Sequence, residues 1–441
     1  MRKILRGSTI VAGVVGLSLA ATGCSSGGGG GGGSTQTKGA TIRVVWTSPT
    51  PPKAALDAFT KKTGITVKWT QVDWDSLQTK IDAAATSKTY FADATDVDWS
   101  RVGQLGKLGW FKPLNTLMDT KSMGADMPQL SSFEDGGKVV GIPFDSSVMV
   151  TTVNKTLFAK AGITTMPKTM DEYTKDLQQV KAKGVVKTPL NIPFAAAEGL
   201  STYWYETTGA FGGTILDGKG KPQFTSPNSA GYKAAQWMVQ AVKTGLVPAG
   251  NINVTDSQGM QNLMAKGQVA STFSDYSGNV GSLYDVPSSS SVVHQVAYIP
   301  TPGATGAGPN LGNPDGIGIP TQAKYPAAAA KFIEWITDSN NQVDWAGGNG
   351  PDKVISGYPT PSRLTAVKAL TAKGKLAQGA ELADLLQHSA RPVFPQGAPP
   401  WYPQFSRAVS TNLHAAAVGS KSVDAVIKAI ADTATSLSNG S

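Results

Sequence analysis

Apolar, β-branched segments alternate with helical segments in the first third of this chain. Strands are predicted at 41–46, 65–69 and 94–99, and helices at 51–64 and 77–85. A short helical turn is predicted at 102–108. A βαβαβ order of this kind is typical of an α/β layer with a mostly parallel sheet. The alternation therefore predicts an α/β fold.

The rest of the chain predicts a second body of strands and helices. The length of 441 residues is sufficient for two or three domains, each with its own core. Extended segments at 139–144 and 148–153, joined by 145–147, predict a crossing between two lobes. Further elements are predicted in chain order: a helix from the Thr169–Glu172 capping box to about Ala182, a helix at 226–245, strands at 267–273, 292–299 and 316–319, a helix at 326–337, and helices to the C-terminus.

Cysteine, histidine and charge usage exclude several classes of protein. Cys24 is the one cysteine, so intramolecular disulfides are excluded, and the three histidines lie too far apart in sequence for a zinc motif. We therefore predict no metal and no cofactor. The net charge is +9, but the lysines are scattered among acids with no basic run, so nucleic acid binding is not expected.

The N-terminal residues predict an export signal and a lipid anchor. Arg2, Lys3 and Arg6 precede an apolar stretch at 10–21 that is too short to span a bilayer. Cys24 follows small residues, as in a bacterial lipobox, although Ala21 stands where leucine is usual. We predict a signal peptide at 1–23, a diacylglycerol on Cys24, a flexible Gly/Ser tether at 24–37, and anchoring at the outer face of the cell membrane. The alternative is a plain secreted protein.

Short motifs along nearly the whole mature chain resemble one protein family in order and spacing. They are GWFKPL at 109–114, GIPF at 141–144, VNKTLFAKAG at 153–162, PKTMDE at 167–172, GG at 212–213, FTSPN at 224–228, AKGQVA at 265–270, AAKFIEW at 329–335 and ARPV at 390–393. The chain resembles the extracellular solute-binding proteins of ABC importers, of the large sugar-binding type related to maltose-binding protein.

The resemblance implies a fold and a mode of action. It implies two α/β lobes joined by a hinge of crossing segments, with the solute in the cleft between them. The first lobe is expected at 38–147 and 311–350, and the second at 148–310 and 351–441. A monomer that captures a carbohydrate and passes it to the membrane subunits of an importer is expected, with no enzymatic activity of its own.

A sugar site needs flat aromatic side chains for C–H faces and polar side chains for hydroxyls. Trp69, Trp110, Trp237 and Trp335 have apolar or packing contexts and are expected in the core, while Trp74 is left undecided. Aromatic ligand contacts are predicted at strand ends, loops or family positions: Trp46, Trp99, Tyr203, Trp204, Trp345 and Trp401. Polar contacts are predicted by the same logic at Asp98, Arg101, Asp145, Ser147, Glu198, Asp275, Tyr276, Asn313, Asp315 and Arg391.

Three alternative functions stay open at this point. The same fold could bind a peptide, a polyamine or a phosphorylated polyol, although aromatic residues at the predicted cleft favour sugar over an anion. A secreted glycosidase would need two carboxylates about 5 to 9 Å apart, and no catalytic motif singles out a pair. A purely structural surface lipoprotein fits poorly with a hinged, two-lobed organisation.

Overall fold

The computed structural model of the protein describes residues 34–255, 258–346 and 360–440. The predicted signal peptide, Cys24 and most of the tether lie outside the described residues. The strands are β1 Thr41–Trp46, β2 Thr66–Gln71, β3 Ala94–Asp98, β4 Glu134–Asp135, β5 Lys138–Val139, β6 Ile142–Pro143, β7 Met149–Asn154, β8 Leu190–Asn191, β9 Ser271–Tyr276, β10 Val296–Ile299, β11 Asn310–Leu311, β12 Asp315–Gly318 and β13 Ala390–Arg391.

The α-helices of the described residues cover both sheets and form the C-terminal part. They are α1 Lys53–Thr63, α2 Trp74–Ser87, α3 Val102–Lys107, α4 Thr120–Gly124, α5 Lys155–Lys160, α6 Met170–Ala182, α7 Glu198–Ala210, α8 Ala230–Lys243, α9 Gln258–Ala265, α10 Pro326–Ile336, α11 Ser339–Ala346, α12 Leu364–Ala372, α13 Gly379–Asp384, α14 Tyr402–Ala417 and α15 Val423–Asn439. Short 3₁₀ turns lie at Trp99–Arg101, Leu114–Thr116, Leu130–Phe133 and Ala249–Asn253, and single π-turns at Val280–Tyr284 and Leu385–Ser389.

Local sequence signals explain where several of these elements begin and end. Thr169 and Glu172 form a reciprocal capping box at the start of α6, which satisfies two otherwise free backbone amides. Gly64 ends α1 in the left-handed region at φ 73°, where a side chain would be strained. On α15, Val426, Ile427 and Ile430 are buried on one face, as the spacing predicts.

The first sheet has the strand order β2-β1-β3-β12-β6. β1 runs parallel to β2 and to β3, as the βαβαβ pattern predicts. β12 joins from far along the chain and runs antiparallel to β3, with Asp315 opposite Asp98. The hydrophobic core packed against this first sheet contains Trp46, Phe59, Phe144 and Trp345.

The second sheet has the order β10-β7-β9-β8 and is mostly antiparallel. β8 and β9 form its one parallel pair. The parallel order predicted from the βαβαβ start is confirmed for β1 to β3, whereas no strand direction is predicted for the second sheet. In the second sheet, β10 and β9 are both antiparallel to β7. The direction of pairing cannot be read from the sequences of short strands.

Three segments run side by side where the chain passes between the two sheets. The chain leaves the first sheet after β6 and enters the second at β7, and it returns from β10 to β12. The amide of Asn313 donates to the carbonyl oxygen of Ser147 (2.9 Å), and the amide of Ser146 donates to that of Thr360 (3.1 Å). These crossings separate two α/β lobes, in agreement with the predicted fold class.

Several predicted element bounds differ from the structure. The helix predicted from residue 226 begins at Ala230, after a turn that ends at Ser229. The strand predicted at 267–273 lies at Ser271–Tyr276, and the one at 292–299 is only Val296–Ile299. Trp204 and Trp345, predicted in loops, lie in α7 and α11. The lobe limits at 38–147, 311–350, 148–310 and 351–441 stay a prediction.

In the part of the chain that the structure describes, no helix is both long enough and apolar enough to cross a membrane.

Candidate functional site

A cavity of about 430 Å³ lies where the two lobes and the crossing segments meet. This volume is in the range of small-molecule sites, which often lie between domains. Its lining residues are Thr47, Asp73, Trp74, Asp75, Asp98, Trp99, Ser100, Asp145, Ser147, Ala197, Glu198, Gly199, Thr202, Thr255, Tyr276, Asn313 and Asp315.

The end of β3 supplies one wall of the cavity. Asp98 is the last residue of β3, and its Oδ1 accepts from both the backbone amide and the hydroxyl of Ser100. Its Oδ2 accepts from the indole of Trp74 (Nε1 to Oδ2, 3.0 Å). Asp98 therefore holds the first turn after the strand and fixes the position of the Trp74 ring.

Trp99 connects this wall to the crossing segment and to the C-terminal helices. Its Nε1 donates to Oδ1 of Asn313 (2.6 Å). Its ring packs edge-on against Tyr402 of α14, with 5.7 Å between ring centres. Trp99 is only 7% exposed, yet it lines the cavity. A rigid aromatic surface of this kind suits the C–H face of a sugar.

Asp145 and Asp315 bring two further carboxylates to the same place. Asp315 begins β12 opposite Asp98, and its backbone amide donates to Oδ1 of Asp145 (2.9 Å). The amide of Ser147 donates to the same oxygen (3.3 Å). The turn between β6 and β7 and the start of β12 are thus joined through one carboxylate.

The second lobe contributes the first turn of α7. Glu198 accepts from the hydroxyls of Tyr402 and Ser406 of α14, the latter at 2.7 Å (Oγ to Oε2). Backbone amides at the start of a helix favour a negative charge nearby, which is consistent with a glutamate here. Thr202 lies one turn further along the same helix and also lines the cavity.

Burial shifts the ionisation of these acids. Burial raises the pKa of Asp145 to about 7, against the lowering effect of the backbone amides that it accepts. Burial, and then the nearby Asp145, raise the pKa of Asp315 well above its ordinary value. Asp96 lies behind them, and its pKa is raised by burial and by Asp98. Burial also raises the pKa of Glu198.

This arrangement can bind a polar solute through many acceptors and two indole rings. Among the described residues, no three His, Cys, Asp or Glu side chains are placed to hold a metal ion together.

Comparison with known families agrees with this architecture. The model of the family described as bacterial extracellular solute-binding protein matches residues 46–343. The chain belongs to this family. Since the match spans both sheets and most of the cavity, the cavity lies within the part of the chain that defines the family.

Individual relatives of this solute-binding protein are distant in sequence. A protein of Brucella abortus (strain 2308) described as a binding protein is 26% identical over 307 residues, which are 66% of this chain and 68% of the relative. A solved ABC transporter solute-binding protein from Agrobacterium radiobacter K84, in complex with ribitol, is 21% identical with a TM-score of 0.77, covering 91% of this chain and 99% of its own. Maltose-bound MalE3 of T. maritima is 20% identical with a TM-score of 0.76, covering 90% and 100%. The two structures share the two-lobed fold with this solute-binding protein.

Eight predicted site residues line the cavity of the solute-binding protein. They are Asp98, Trp99, Asp145, Ser147, Glu198, Tyr276, Asn313 and Asp315. The structure brings them together from five separate stretches of sequence. Their contact with a ligand stays a prediction.

Trp46 and Asp275 lie in strands β1 and β9, and both side chains are buried away from the cavity lining. Trp46 is fully buried and packs against Phe144, with 5.2 Å between ring centres, while the next residue, Thr47, lines the cavity. Asp275 is buried and accepts from the hydroxyls of Thr152 (2.7 Å) and Tyr284 (2.8 Å), while Tyr276 lines the cavity. Successive strand residues point to opposite faces, so an error of one position reverses the environment.

Four other predicted aromatic contacts lie in packed cores. Trp204 is fully buried in α7, donates to the carbonyl oxygen of Gly231 (2.9 Å) and packs against Phe224. Tyr203 is equally buried, with its hydroxyl 3.8 Å from Sδ of Met260. The other two pack against core aromatics, Trp345 against Trp335 and Trp401 against Phe405. The site proposed below leaves out these four residues.

The two predicted arginines do not line the cavity. The Arg101 guanidinium lies behind Trp74, 5.6 Å from the ring centre, and donates to Oε1 of Gln104 (3.4 Å). Arg391 is exposed on β13, and its guanidinium donates to the carbonyl oxygens of His388 and Ala390. The charge of Arg101 still reaches Glu198 and lowers the pKa of that carboxyl, against the larger effect of burial.

Sequence reasoning missed the contribution of α2 to the cavity. Asp73 caps this helix by accepting from the amide of Ser76 (3.0 Å), and Trp74 and Asp75 follow it. The N-cap signal was readable in the sequence, because aspartate is favoured there. The approach of this helix end to β3 is a tertiary contact, made through Trp74 and Asp98, that no local pattern encodes.

Proposed function

We propose that this protein captures a carbohydrate, either a mono- or oligosaccharide or a related polyol, in the cavity between its lobes and delivers it to the membrane subunits of an ABC importer. The observation that carries the proposal is one cavity in which Trp74 and Trp99 stand beside Asp98, Asn313 and Asp315. Aromatic faces with surrounding acceptors match the C–H faces and hydroxyl rim of a sugar.

The ligands of two structural neighbours support the same class of solute. One neighbour holds ribitol and the other maltose, both of which are polyhydroxylated and uncharged. A phosphorylated polyol suits the cavity less well, because its described lining residues carry several carboxylates and no lysine, arginine or histidine.

The lobes move about the crossing segments in the mechanism that we propose. Open and closed forms exchange, and a solute that contacts both lobes favours the closed form. The closed form docks on the importer with one lobe on each membrane subunit. We propose no chemical step on the solute, since capture and delivery require none.

We further propose that the protein acts as a monomer held by a lipid on Cys24 at the outer face of the membrane. Mass spectrometry of the mature N-terminus would detect a diacylglycerol on Cys24, and Cys24→Ser should release the protein from the membrane fraction. An unmodified mature N-terminus, or retention of the variant at the membrane, would contradict the anchor.

A thermal unfolding screen tests the function. The purified protein is heated with mono- and oligosaccharides and polyols, and with amino acids, peptides and polyamines as controls. A ligand at about a hundred times its dissociation constant adds roughly 2.7 kcal/mol of stability. We expect a carbohydrate or polyol to raise the melting temperature and to be recovered intact. Stabilisation by non-sugars alone would contradict the carbohydrate, and consumption of the sugar would indicate an enzyme.

A further inference from the structure

The acidic residues that line the cavity form an excess that a neutral sugar does not require. Six carboxylate residues line it, Asp73, Asp75, Asp98, Asp145, Glu198 and Asp315, and no basic residue does so among the described residues. A carboxylate can accept hydrogen bonds from sugar hydroxyls. Burial already raises the pKa of Asp145, Asp315 and Glu198, and an uncharged ligand adds no cation that would offset this cost. The charge of Arg101 acts on Glu198 from outside the lining.

Asp315 differs from the other two acids at the same end of the cavity. Both oxygens of Asp98 accept hydrogen bonds, from Ser100 and from Trp74. Oδ1 of Asp145 accepts from two backbone amides. No described residue donates a hydrogen bond to the side chain of Asp315, which lines the cavity directly.

We propose that the solute carries a protonated amine, which Asp315 and Asp145 bind, on a hydroxylated skeleton. An ammonium group offers three donors and a positive charge, which would offset the burial that raises the pKa of Asp315 and favour the ionised form of its carboxyl. The remaining wall of the cavity includes Trp99 and Asn313, which suit an aliphatic ring and hydroxyls. The ligand class is therefore an amino sugar or amino polyol, and this inference rests on the carbohydrate function proposed above.

Matched pairs of probes test the inference. Affinities are measured by calorimetry for glucosamine, galactosamine and mannosamine against their parent hexoses, for 1-amino-1-deoxysorbitol against sorbitol, and for the β-1,4-linked glucosamine dimer against cellobiose. Within each pair the skeleton is the same, and one amine replaces one hydroxyl, or two amines replace two hydroxyls in the dimer. In the pair that the protein binds, we expect the amine to bind about ten- to a hundredfold more tightly than its neutral partner.

Two isosteric variants and a control locate the effect. Asp315→Asn and Asp145→Asn should each reduce the preference for the amine, while Asp57→Asn should preserve it. Asp57 is exposed and paired with Lys53 on α1, so its variant makes the same Asp-to-Asn replacement away from the cavity. If the preference for the amine is unchanged in both cavity variants, the amine does not bind at Asp315 and Asp145, and the proposal is overturned.

The outcomes separate this inference from the function on which it rests. If a neutral sugar or polyol binds as tightly as its amine, or more tightly, the inference fails and the carbohydrate function stands. If spermidine binds and no hydroxylated probe does, or if no probe binds at all, both proposals fail.

Discussion

The backbone amide of Asp315 donates a hydrogen bond of 2.9 Å to Oδ1 of Asp145, and the side chains of both residues line the same cavity. One residue begins β12, and the other lies in the turn that leads out of β6 toward the second lobe. A change at either carboxylate is therefore expected to affect both the cavity and the crossing between the lobes.

This junction should make the ligand-free protein less stable as the pH rises. The pKa of Asp145 is about 7 in the folded protein and near the ordinary aspartate value when unfolded. The folded state then binds more protons between these values, so its stability is full below the lower value and is lost as the pH rises through about 7. Each unit of difference corresponds to about 1.4 kcal/mol. Urea unfolding at a series of pH values measures the loss.

Asp145→Asn should remove part of that pH dependence. Burial also raises the pKa of Asp96 and Asp315 at the same junction, so these two acids keep some of it. Glu206 titrates in the same direction, because burial raises its pKa to about 8. It lies outside the cavity lining and accepts from Thr301 and Leu311, so Glu206→Gln separates its contribution. If the free energy of unfolding of Asp145→Asn depends on pH as steeply as that of the unchanged protein, the assignment of this pH dependence to Asp145 is contradicted.

Trp99→Phe should weaken binding of the carbohydrate by about 1–2 kcal/mol, since it removes both ring area and the hydrogen bond to Asn313. Trp345→Phe is the matched control, because Trp345 lies in the same core as Trp46 and Phe144 and outside the cavity lining. Fluorescence titration of both variants with a ligand from the thermal screen measures the difference. Equal affinities in the two variants would remove Trp99 from the binding site.

Trp204→Ala should act on stability rather than on ligand recognition. Its ring is fully buried beside Phe224, and removal of such a side chain costs about 3–5 kcal/mol. Urea unfolding measures this loss, and titration of the folded variant should give nearly unchanged affinity. Normal stability together with weakened ligand binding would instead indicate that Trp204 contacts the ligand.

The sequence predicts the framework of this fold better than its side-chain directions. β1 is predicted at its observed bounds because six consecutive residues favour a strand and a proline-rich turn follows. Asp98 and Asp315 are predicted because each stands at the end of a predicted strand. Asp275 is also near a strand end, but pairing with β7 turns it inward to Thr152 and turns Tyr276 outward.

Helix α7 shows why aromatic residues are hard to assign. Nearly every residue between Glu198 and Ala210 is buried, so the helix has no polar face and its sequence has no clear period. Tyr203 and Trp204 therefore resemble a site loop in sequence, while the cavity receives only the first turns of the helix. Tertiary packing against α8 and α14 decides the outcome.

A close approach at Gly103 supplies a final prediction. Gly103 lies in α3, and a Cβ atom there would lie 2.0 Å from the carbonyl oxygen of Ala398, in the segment that leads into α14. Alanine in a helix is otherwise more favourable than glycine, so only this contact opposes the substitution. We expect Gly103→Ala to lower the free energy of unfolding by about 1–3 kcal/mol, as overpacking does.

Gly250→Ala is the matched control, since a Cβ at Gly250 would meet no atom within 4 Å. Alanine reduces the conformational freedom of the unfolded chain, so this variant should keep or slightly raise the stability. Urea unfolding of both variants measures whether each substitution raises or lowers the free energy of unfolding. A loss confined to Gly103→Ala would establish that α3 is held against the segment before α14. Equal behaviour of the two variants would show that this segment can move aside without cost.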